Sequence, residues 1–234
     1  MAHDITYIAS IDYHLRQYKT PYRSTVALID FLKRKLDVTR IRRVLDLGCG
    51  GGANIHWLSQ EFPTWEFAGV DFDPAAIDVC RQNHPNTELH CADIFKMNQM
   101  FPRSFFDLVL SIQVIETAPF DLYSFLDVAL PLTKADLVLT SLFSEEYFEQ
   151  ETIRRDLKNN ETCVYKIDSL KRLEDYAQRK DVALIWEEIK IDQDLPKPKP
   201  LTLSTYTVTT ADGERLQISP YMLMPWYAVH LKKR

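Results

Sequence analysis

The spacing of apolar residues along the chain changes repeatedly between the period of a helix and that of a strand. From residue 24 to 36, apolar side chains recur at helical spacing, which predicts an amphipathic helix. The run RRVLDLG at 42–48 is short, apolar and ended by glycine, which predicts a strand. Further strands are predicted at 65–73, 87–94, 105–116 and 135–143, with helices at 53–63, 74–85 and 121–132.

Strands that alternate with helices predict an α/β fold, in which a parallel sheet carries helices on both faces. Beyond residue 143 the segment 144–161 is charged, and we expect it to cover the carboxyl edge of the sheet. A helix at 167–180 and a strand at 182–192 follow, then the stiff connector LPKPKP. A hairpin at about 201–220, turning at Asp212–Gly213, precedes a last strand at 226–233.

Composition and charge exclude several classes of function. The 234 residues carry a formal net charge of −5, so no nucleic acid is expected as a partner. No apolar run approaches the roughly 20 residues that span a bilayer, and the N-terminus lacks a secretory signal. The four cysteines form no C-x-x-C pair, so no metal site is indicated and a cytoplasmic chain with reduced thiols is expected.

The glycine-rich stretch VLDLGCGGGANI at 44–55 follows the first strand and faces the ligand crevice of such a sheet. It lacks the Gly-Lys-Ser/Thr ending of a phosphate-binding loop. Asp46 would repel a pyrophosphate but suits a cationic ligand. Asp71 ends the second strand at the distance typical of a ribose-binding carboxylate, and Asp93 can accept a bond from an adenine amine. A cationic head, a ribose and an adenine together describe S-adenosylmethionine.

The segments VLDLGCGGG, GVDFD, CADIF and FDLVLSIQVIE resemble the class I S-adenosylmethionine-dependent methyltransferases over about residues 43–140. The resemblance implies a doubly wound, mostly parallel seven-stranded sheet with an antiparallel C-terminal strand, here with an added hairpin. It also implies cofactor-binding roles for residues that match the family's motifs: Asp46, Gly48 and Gly50 at the methionine part, Asp71 at the ribose, Phe72, Asp93 and Ile94 around the adenine, Gln113 near the sulfonium, and Arg23 at the cofactor carboxylate.

Two residues are candidates for catalysis. Glu116 follows the fourth strand near the expected methyl-transfer site, but Thr117 stands where some relatives carry a histidine. A structural carboxylate is the alternative interpretation. His14 lies ahead of the first long helix and is either part of the site or solvated. Aromatic residues at 7–23, including Tyr7, and at 142–166 are expected to shape the acceptor pocket.

We expect a single domain, with an N-terminal helical cap at 1–42, a cofactor-binding core at 43–142 and sheet completion at 143–234. The N/D-P-P-Y/F signature of amino-methylating enzymes is absent, so O-methylation of a small-molecule or sugar-type acceptor is favoured. The added hairpin extends the pocket or pairs two subunits in a homodimer. A non-catalytic cofactor-binding partner and an NAD(P)-dependent oxidoreductase are the alternatives, although 43 residues precede the glycine-rich strand, which disfavours the latter.

Overall fold

The computed structural model describes residues 10–158, 160–190, 194–197, 205–219 and 222–234. The first half of the chain alternates helices and strands as predicted, with two short helices, α1 and α5, in addition: α1 (Ile11–Gln17), α2 (Arg23–Lys35), β1 (Arg43–Leu47), α3 (Ala53–Glu61), β2 (Glu66–Asp71), α4 (Pro74–Asn83), β3 (Glu88–Cys91), α5 (Met97–Met100), β4 (Phe106–Ile112), α6 (Leu122–Leu132) and β5 (Thr133–Ser144). The second half contains β6 (Gln150–Asp156), β7 (Glu161–Ser169), α7 (Leu170–Arg179), β8 (Val182–Glu188), β9 (Tyr206–Thr209), β10 (Arg215–Ser219), β11 (Met222–Leu223) and β12 (Trp226–Lys233).

The central sheet has the strand order β3-β2-β1-β4-β5-β12-β8. The five strands β1 to β5 are parallel, whereas β12 lies antiparallel between β5 and β8, with Val229 opposite both Leu139 and Trp186. The expected α/β fold with an antiparallel C-terminal strand is therefore confirmed. In this topology the carboxyl ends of β1 to β5 meet at one edge of the sheet, where ligands bind in open α/β folds.

Helices cover both faces of the sheet. Successive residues of a strand point to opposite faces, so an apolar strand needs cover on both. In β4, Val109 packs into the core on one face, while Leu108 and Leu110 pack into the core on the other. The first core includes Phe125 and Ala129 of α6, and the second includes helix α2. Burial on both faces explains why β4 and β5 are continuous apolar runs.

The sequence did not reveal one hairpin and misplaced the start of one helix. The charged segment after β5 contains β6 and the turn of an antiparallel hairpin, β6–β7, in which Ile153 lies opposite Val164. The helix expected from residue 167 begins at Leu170, because Ser169 caps it and the residues before it belong to β7. Strand β7 also continues the sheet, since Phe143 at the end of β5 pairs with Asp168 in parallel.

The predicted C-terminal hairpin is present as β9 and β10, which form a small separate sheet with β11. Gly213 adopts a φ of +90° in its turn. Residues 201–204 and 220 of the expected hairpin, and Tyr7 of the expected aromatic segment, lie outside the described residues. Among the residues described, no helix has the length and apolar character needed to cross a bilayer.

Candidate active site

The glycine loop, residues 48–52, connects β1 to α3 at the carboxyl edge of the sheet. Gly48, Gly50 and Gly52 have φ angles of +84°, +52° and +86°, which side-chain-bearing residues rarely adopt. The backbone N–H groups of Gly48 and Cys49 donate to the carbonyl oxygen of Val70, at 2.8 and 3.0 Å. The loop is thus held against the end of β2, and its shape depends on glycine.

The space beside the glycines is filled largely by other side chains. A Cβ atom on Gly48 would lie 2.3 Å from Cγ2 of Val114, and one on Gly51 would lie 2.7 Å from Cβ of His14. We expected the glycines to allow close approach of a ligand; at Gly48 and Gly51 they also allow close approach of the protein itself. At Gly50 the nearest atom to such a Cβ is 3.4 Å away, an ordinary contact distance.

Asp46 lies near the end of β1 with only 1% of its surface exposed. Neither of its carboxylate oxygens has a hydrogen-bond partner among the described residues. Burial, reinforced by the nearby charge of Asp71, raises the pKa of Asp46 to about 7. A buried carboxyl group without partners is costly, so this position requires either a proton or a cationic ligand.

Asp71 ends β2 beside the glycine loop, and both of its oxygens accept backbone hydrogen bonds. One bonds to the N–H of Gly50 at 2.8 Å and the other to the N–H of Asp73 at 2.9 Å. Burial raises the pKa of Asp71, although these two bonds act in the opposite direction. Each carboxylate oxygen keeps acceptor capacity, so the predicted role toward ribose hydroxyls is compatible with these contacts.

The predicted adenine-binding residues lie at the ends of β2 and β3. The side chain of Phe72 is 69% exposed, which leaves a bare aromatic face at this edge. Asp93 is exposed and accepts one bond from the N–H of Phe95, at 2.9 Å, whereas Ile94 is buried in the core. Their roles toward an adenine stay predictions that this arrangement favours.

Gln113 and Arg23 occupy different parts of the edge. Gln113 terminates β4 with a φ of +56°, and its N–H donates to the carbonyl oxygen of Thr140 at 3.0 Å. The strand predicted to reach residue 116 therefore stops at Ile112. Arg23 is the first residue of α2 and its side chain is exposed. The proposed contacts of both residues with the cofactor stay predictions.

His14 is placed on the glycine loop. It belongs to α1, a short helix capped by Ser10, and only 6% of its surface is exposed, so the alternative of a solvated histidine is wrong. The N–H of Gly51 donates to Nδ1 of His14 at 3.2 Å, while Nε2 is buried without a partner among the described residues. Because Nδ1 accepts a bond, the neutral ring carries its proton on Nε2, and no lone pair is left for a general base.

Glu116 lies after β4 in a different polar environment. It is buried, and its Oε2 accepts a bond from Oγ of Ser141 at 3.3 Å. Burial raises the pKa of Glu116 to about 8, so the carboxyl group is largely protonated at neutral pH. These contacts fit the alternative of a structural carboxyl group better than a base, and its predicted catalytic role stays untested.

Sequence reasoning missed the polar residues that β7 brings to Glu116. The N–H of Lys166 donates to the carbonyl oxygen of Glu116 at 2.7 Å, and Nζ of Lys166 donates to the carbonyl oxygen of Phe120. One oxygen of Asp168, Oδ2, is buried without a partner among the described residues. Burial raises the pKa of Asp168 to about 6. The missed signal is the β6–β7 hairpin itself, which was not recognised.

A cavity of about 530 Å³ lies at the same edge of the sheet, beyond the end of β5. Its walls come from β5, the β6–β7 hairpin and the segment from β11 to β12, and most of them are apolar: Phe143, Phe148, Ile167, Met222, Leu223 and Pro225. The hydroxyl of Tyr227, also in the wall, donates to Oε1 of Glu145 at 2.9 Å. A pocket of this size and character suits a small organic ligand.

Residues 21–193 match the sequence profile of a family described as "Methyltransferase domain", which accounts for most of the chain. The chain belongs to this methyltransferase family. The match confirms the resemblance to the class I methyltransferases that the glycine loop and its neighbouring strands indicate.

Several curated relatives of this methyltransferase are named as O-methyltransferases. The malonyl-[acyl-carrier protein] O-methyltransferase of Acetivibrio thermocellus is 32% identical over 144 residues, which cover 57% of this chain and 48% of that protein. The corresponding protein of Bacillus cereus is 37% identical over 73 residues, which cover 30% of this chain and 27% of that protein. The fatty-acid O-methyltransferase of Mycolicibacterium smegmatis is 30% identical over 83 residues, covering 35% and 30%. The aligned parts thus span less than half the length of these relatives.

Solved structures of other methyltransferases share the fold. A magnesium protoporphyrin IX methyltransferase from Synechocystis, with bound S-adenosylmethionine, gives a TM-score of 0.55 at 10% identity and covers 99% of this chain and 88% of its own. A methyltransferase from Archaeoglobus fulgidus gives a TM-score of 0.55 at 18% identity, and the match covers 94% of this chain and 99% of that one. The family match and the shared fold confirm S-adenosylmethionine as the cofactor.

The described residues fit this cofactor. The partnerless carboxyl group of Asp46 can accept a cationic group, Asp71 retains acceptor capacity for hydroxyls, and the exposed ring of Phe72 can cover a base. When bound, S-adenosylmethionine supplies an activated methyl group, so the cofactor carries the demanding chemistry. The protein has to bind it, place an acceptor atom and exclude water.

Proposed function

We propose that this methyltransferase methylates a carboxylate oxygen of a small acyl-type molecule and so forms a methyl ester. The relatives named as malonyl-[acyl-carrier protein] and fatty-acid O-methyltransferases support an acyl acceptor. This proposal narrows the expectation of a small-molecule or sugar-type acceptor to one chemical class. The acceptor oxygen would bond to the methyl carbon, and the electron pair of the broken methyl–sulfur bond would stay on the sulfur as a thioether.

The protonation states of the two candidate catalytic residues carry the proposal. A hydroxyl acceptor benefits from a general base, which contributes roughly 10²–10⁴-fold to the rate. His14 presents a protonated Nε2, and the raised pKa of Glu116 keeps its carboxyl group largely protonated at neutral pH. A carboxylate is already ionised at neutral pH and requires no base, so it matches a site whose two candidates are poorly suited to accept a proton.

The cavity beyond β5 supports the acyl part of the acceptor. Phe143, Ile167 and Met222 give it an apolar wall, and it lies beyond the end of β5, at the edge of the sheet that also carries the glycine loop. Burial of apolar surface contributes roughly 25 cal/mol per Å², so an acyl chain would gain affinity inside the cavity. Its carboxylate would lie outside the cavity.

The test is methyl transfer from labelled S-adenosylmethionine to three acceptors: a malonyl thioester on an acyl carrier protein, a free fatty acid and a hydroxylated aromatic compound. We expect label in one of the acyl products, as an ester that mild alkali hydrolyses to release labelled methanol. Label confined to an alkali-stable ether or amine would contradict the proposal. An acceptor-free reaction measures background hydrolysis.

A hydroxyl acceptor with Asp168 as the base is a second candidate. The pKa of Asp168 is raised by burial to about 6, so this carboxyl group is mostly ionised at neutral pH, and its Oδ2 has no partner among the described residues. The variant Asp168→Asn separates the two candidates. Ester formation should persist in this variant, whereas methylation of a hydroxyl would fall by roughly 10²-fold or more.

A further inference from the structure

Buried polar atoms without partners lie on two residues near Asp71 and the glycine loop. Within the part of the chain that the structure describes, these atoms are the two carboxylate oxygens of Asp46 and Nε2 of His14. Asp46 and His14 are each close enough to Asp71 for its charge to affect their protonation. Buried polar groups are nearly always hydrogen-bonded, so three such atoms beside one loop point to a ligand that supplies the missing partners.

The two groups demand opposite partners. Asp46 offers only acceptors when ionised, which suits a cationic donor. His14 accepts the N–H of Gly51 on Nδ1, so its Nε2–H is a donor that suits an anion. An amino-acid group, with an ammonium and a carboxylate on the same carbon atom, provides both partners within one small unit.

Helix α1 holds His14 in this position. The hydroxyl of Tyr18 donates to the carbonyl oxygen of Gly51, and Nε1 of Trp57 donates to the carbonyl oxygen of Gln17 at 2.9 Å. These bonds fasten both the last turn of α1 and the residue after it to the loop and to α3. The imidazole of His14 is therefore presented to the loop by a fixed helix.

We propose that His14 binds the α-carboxylate of S-adenosylmethionine through its Nε2–H, while Asp46 accepts the ammonium. This inference deepens the proposed function and rests on its cofactor. It replaces the expectation that Arg23 binds the carboxylate. The side chain of Arg23 is exposed at the start of α2, and an exposed ion pair contributes little, whereas a buried donor gains a partner that it otherwise lacks.

Calorimetric titration with three ligands tests the assignment without any turnover. The ligands are S-adenosylhomocysteine, its decarboxylated analogue, which keeps the amine, and methylthioadenosine, which lacks both groups. We expect the wild-type protein to prefer S-adenosylhomocysteine to the decarboxylated analogue by roughly tenfold to a hundredfold. In His14→Ala this preference should fall nearly to one, with affinity for methylthioadenosine unchanged.

Two further variants keep the test decisive. His14→Gln retains an N–H donor and should keep part of the preference for the carboxylate, and Arg23→Ala should keep all of it. If His14→Ala keeps the full preference for S-adenosylhomocysteine over its decarboxylated analogue, or if Arg23→Ala loses it, the role of His14 is wrong. The cofactor assignment would still stand in either case. If the wild-type protein binds none of the three ligands, the cofactor assignment fails together with this inference. Unchanged affinity for methylthioadenosine shows that a variant is folded.

Discussion

The proposed cofactor half of the site, at the ends of β1 to β3, differs in construction from the proposed acceptor half, at the ends of β4, β5 and the β6–β7 hairpin. In the cofactor half, Asp71 bonds to backbone groups of the loops after β1 and β2, at Gly50 and Asp73, and α1 adds His14, which lies 37 residues before its partner Gly51. In the acceptor half, contacts join distant segments, as between Tyr227 and Glu145, 82 residues apart. Loops at the ends of neighbouring strands can thus frame the cofactor, whereas an assembly of distant segments can vary in shape with the acceptor.

The largest effect should come from filling the space at Gly48. In Gly48→Ala the new Cβ would lie 2.3 Å from Val114 while φ stays near +84°. We expect the free energy of unfolding to fall by roughly 2–4 kcal/mol, from overpacking and backbone strain together. Urea denaturation measures this change.

Gly213→Ala is the matched control for Gly48→Ala. Gly213 has a φ of +90° in the turn between β9 and β10, and no atom lies within 4 Å of an added Cβ. Only backbone strain applies there, so we expect a loss of about 1 kcal/mol. Equal losses in the two variants would show that the contact between Gly48 and Val114 contributes nothing.

Asp46→Asn should stabilise the ligand-free protein and weaken cofactor binding. The amide removes a buried carboxyl group without partners, so we expect a gain of about 1–3 kcal/mol in unfolding free energy at pH 8. Affinity for S-adenosylhomocysteine should fall, because the ammonium loses its acceptor. Asp78→Asn, on the exposed surface of α4, is the control. A stabilised variant with full affinity would contradict the assignment of Asp46.

Asp46→Asn should also change how the free energy of unfolding depends on pH. The pKa of Asp46 is raised by burial to about 7, whereas the unfolded chain releases this proton near pH 4. The folded protein therefore binds the additional proton between these values, and the stability that Asp46 contributes below about pH 4 is lost as pH rises through 7. Glu116 acts in the same direction, so the slope of the wild-type protein is compared with that of Asp46→Asn.

Filling the cavity should affect only the acceptor half. Ile167 is buried in β7 and lines the cavity, so Ile167→Trp should raise the acceptor KM by about tenfold or more. Affinity for S-adenosylhomocysteine should not change. Leu157→Trp, at an exposed position near the tip of the same hairpin, is the control. If acceptor KM is unchanged in Ile167→Trp, the acyl part binds elsewhere.

The smallest effect should come from exposed aromatic rings. Phe72 is 69% exposed beside the cofactor half and Phe148 is 53% exposed beside the acceptor half. Phe72→Ala should weaken cofactor binding by about 0.5–1.5 kcal/mol, with little change in stability. Phe148→Ala should leave cofactor affinity unchanged. Equal affinities of the two variants in calorimetry would remove Phe72 from the cofactor site.

What could be predicted from the sequence differs between the same two halves of the site. Asp46, Asp71 and Asp93 could be proposed from the sequence because each lies within two residues of the end of a strand that its apolar pattern reveals, and their roles toward the cofactor stay predictions. The β6–β7 hairpin was missed because its residues alternate weakly, with most side chains of β6 half-buried or exposed, and no Asn-Gly or Asp-Gly pair marks its turn. Asp168 and Lys166 could not be assigned without it.

His14 illustrates a different limit. Its sequence neighbourhood is that of a short polar helix, and its burial arises from docking of α1 against a loop that lies more than thirty residues further along the chain. The tautomer that removes it as a base is also set by that contact, through the N–H of Gly51. A local pattern identifies such a residue as a candidate but does not define its partner or its role.

The contact between Gly48 and Val114 links the two halves mechanically. The methyl groups of Val114 occupy the place of the missing side chain, so the turn after β1 and the turn after β4 pack closely together. We therefore expect an adjustment of the glycine loop to a sulfonium or a thioether to be felt in the segment that leads to Glu116. Release of the spent nucleoside and exchange of the acceptor would in this way be coupled through the packing of Val114 against Gly48.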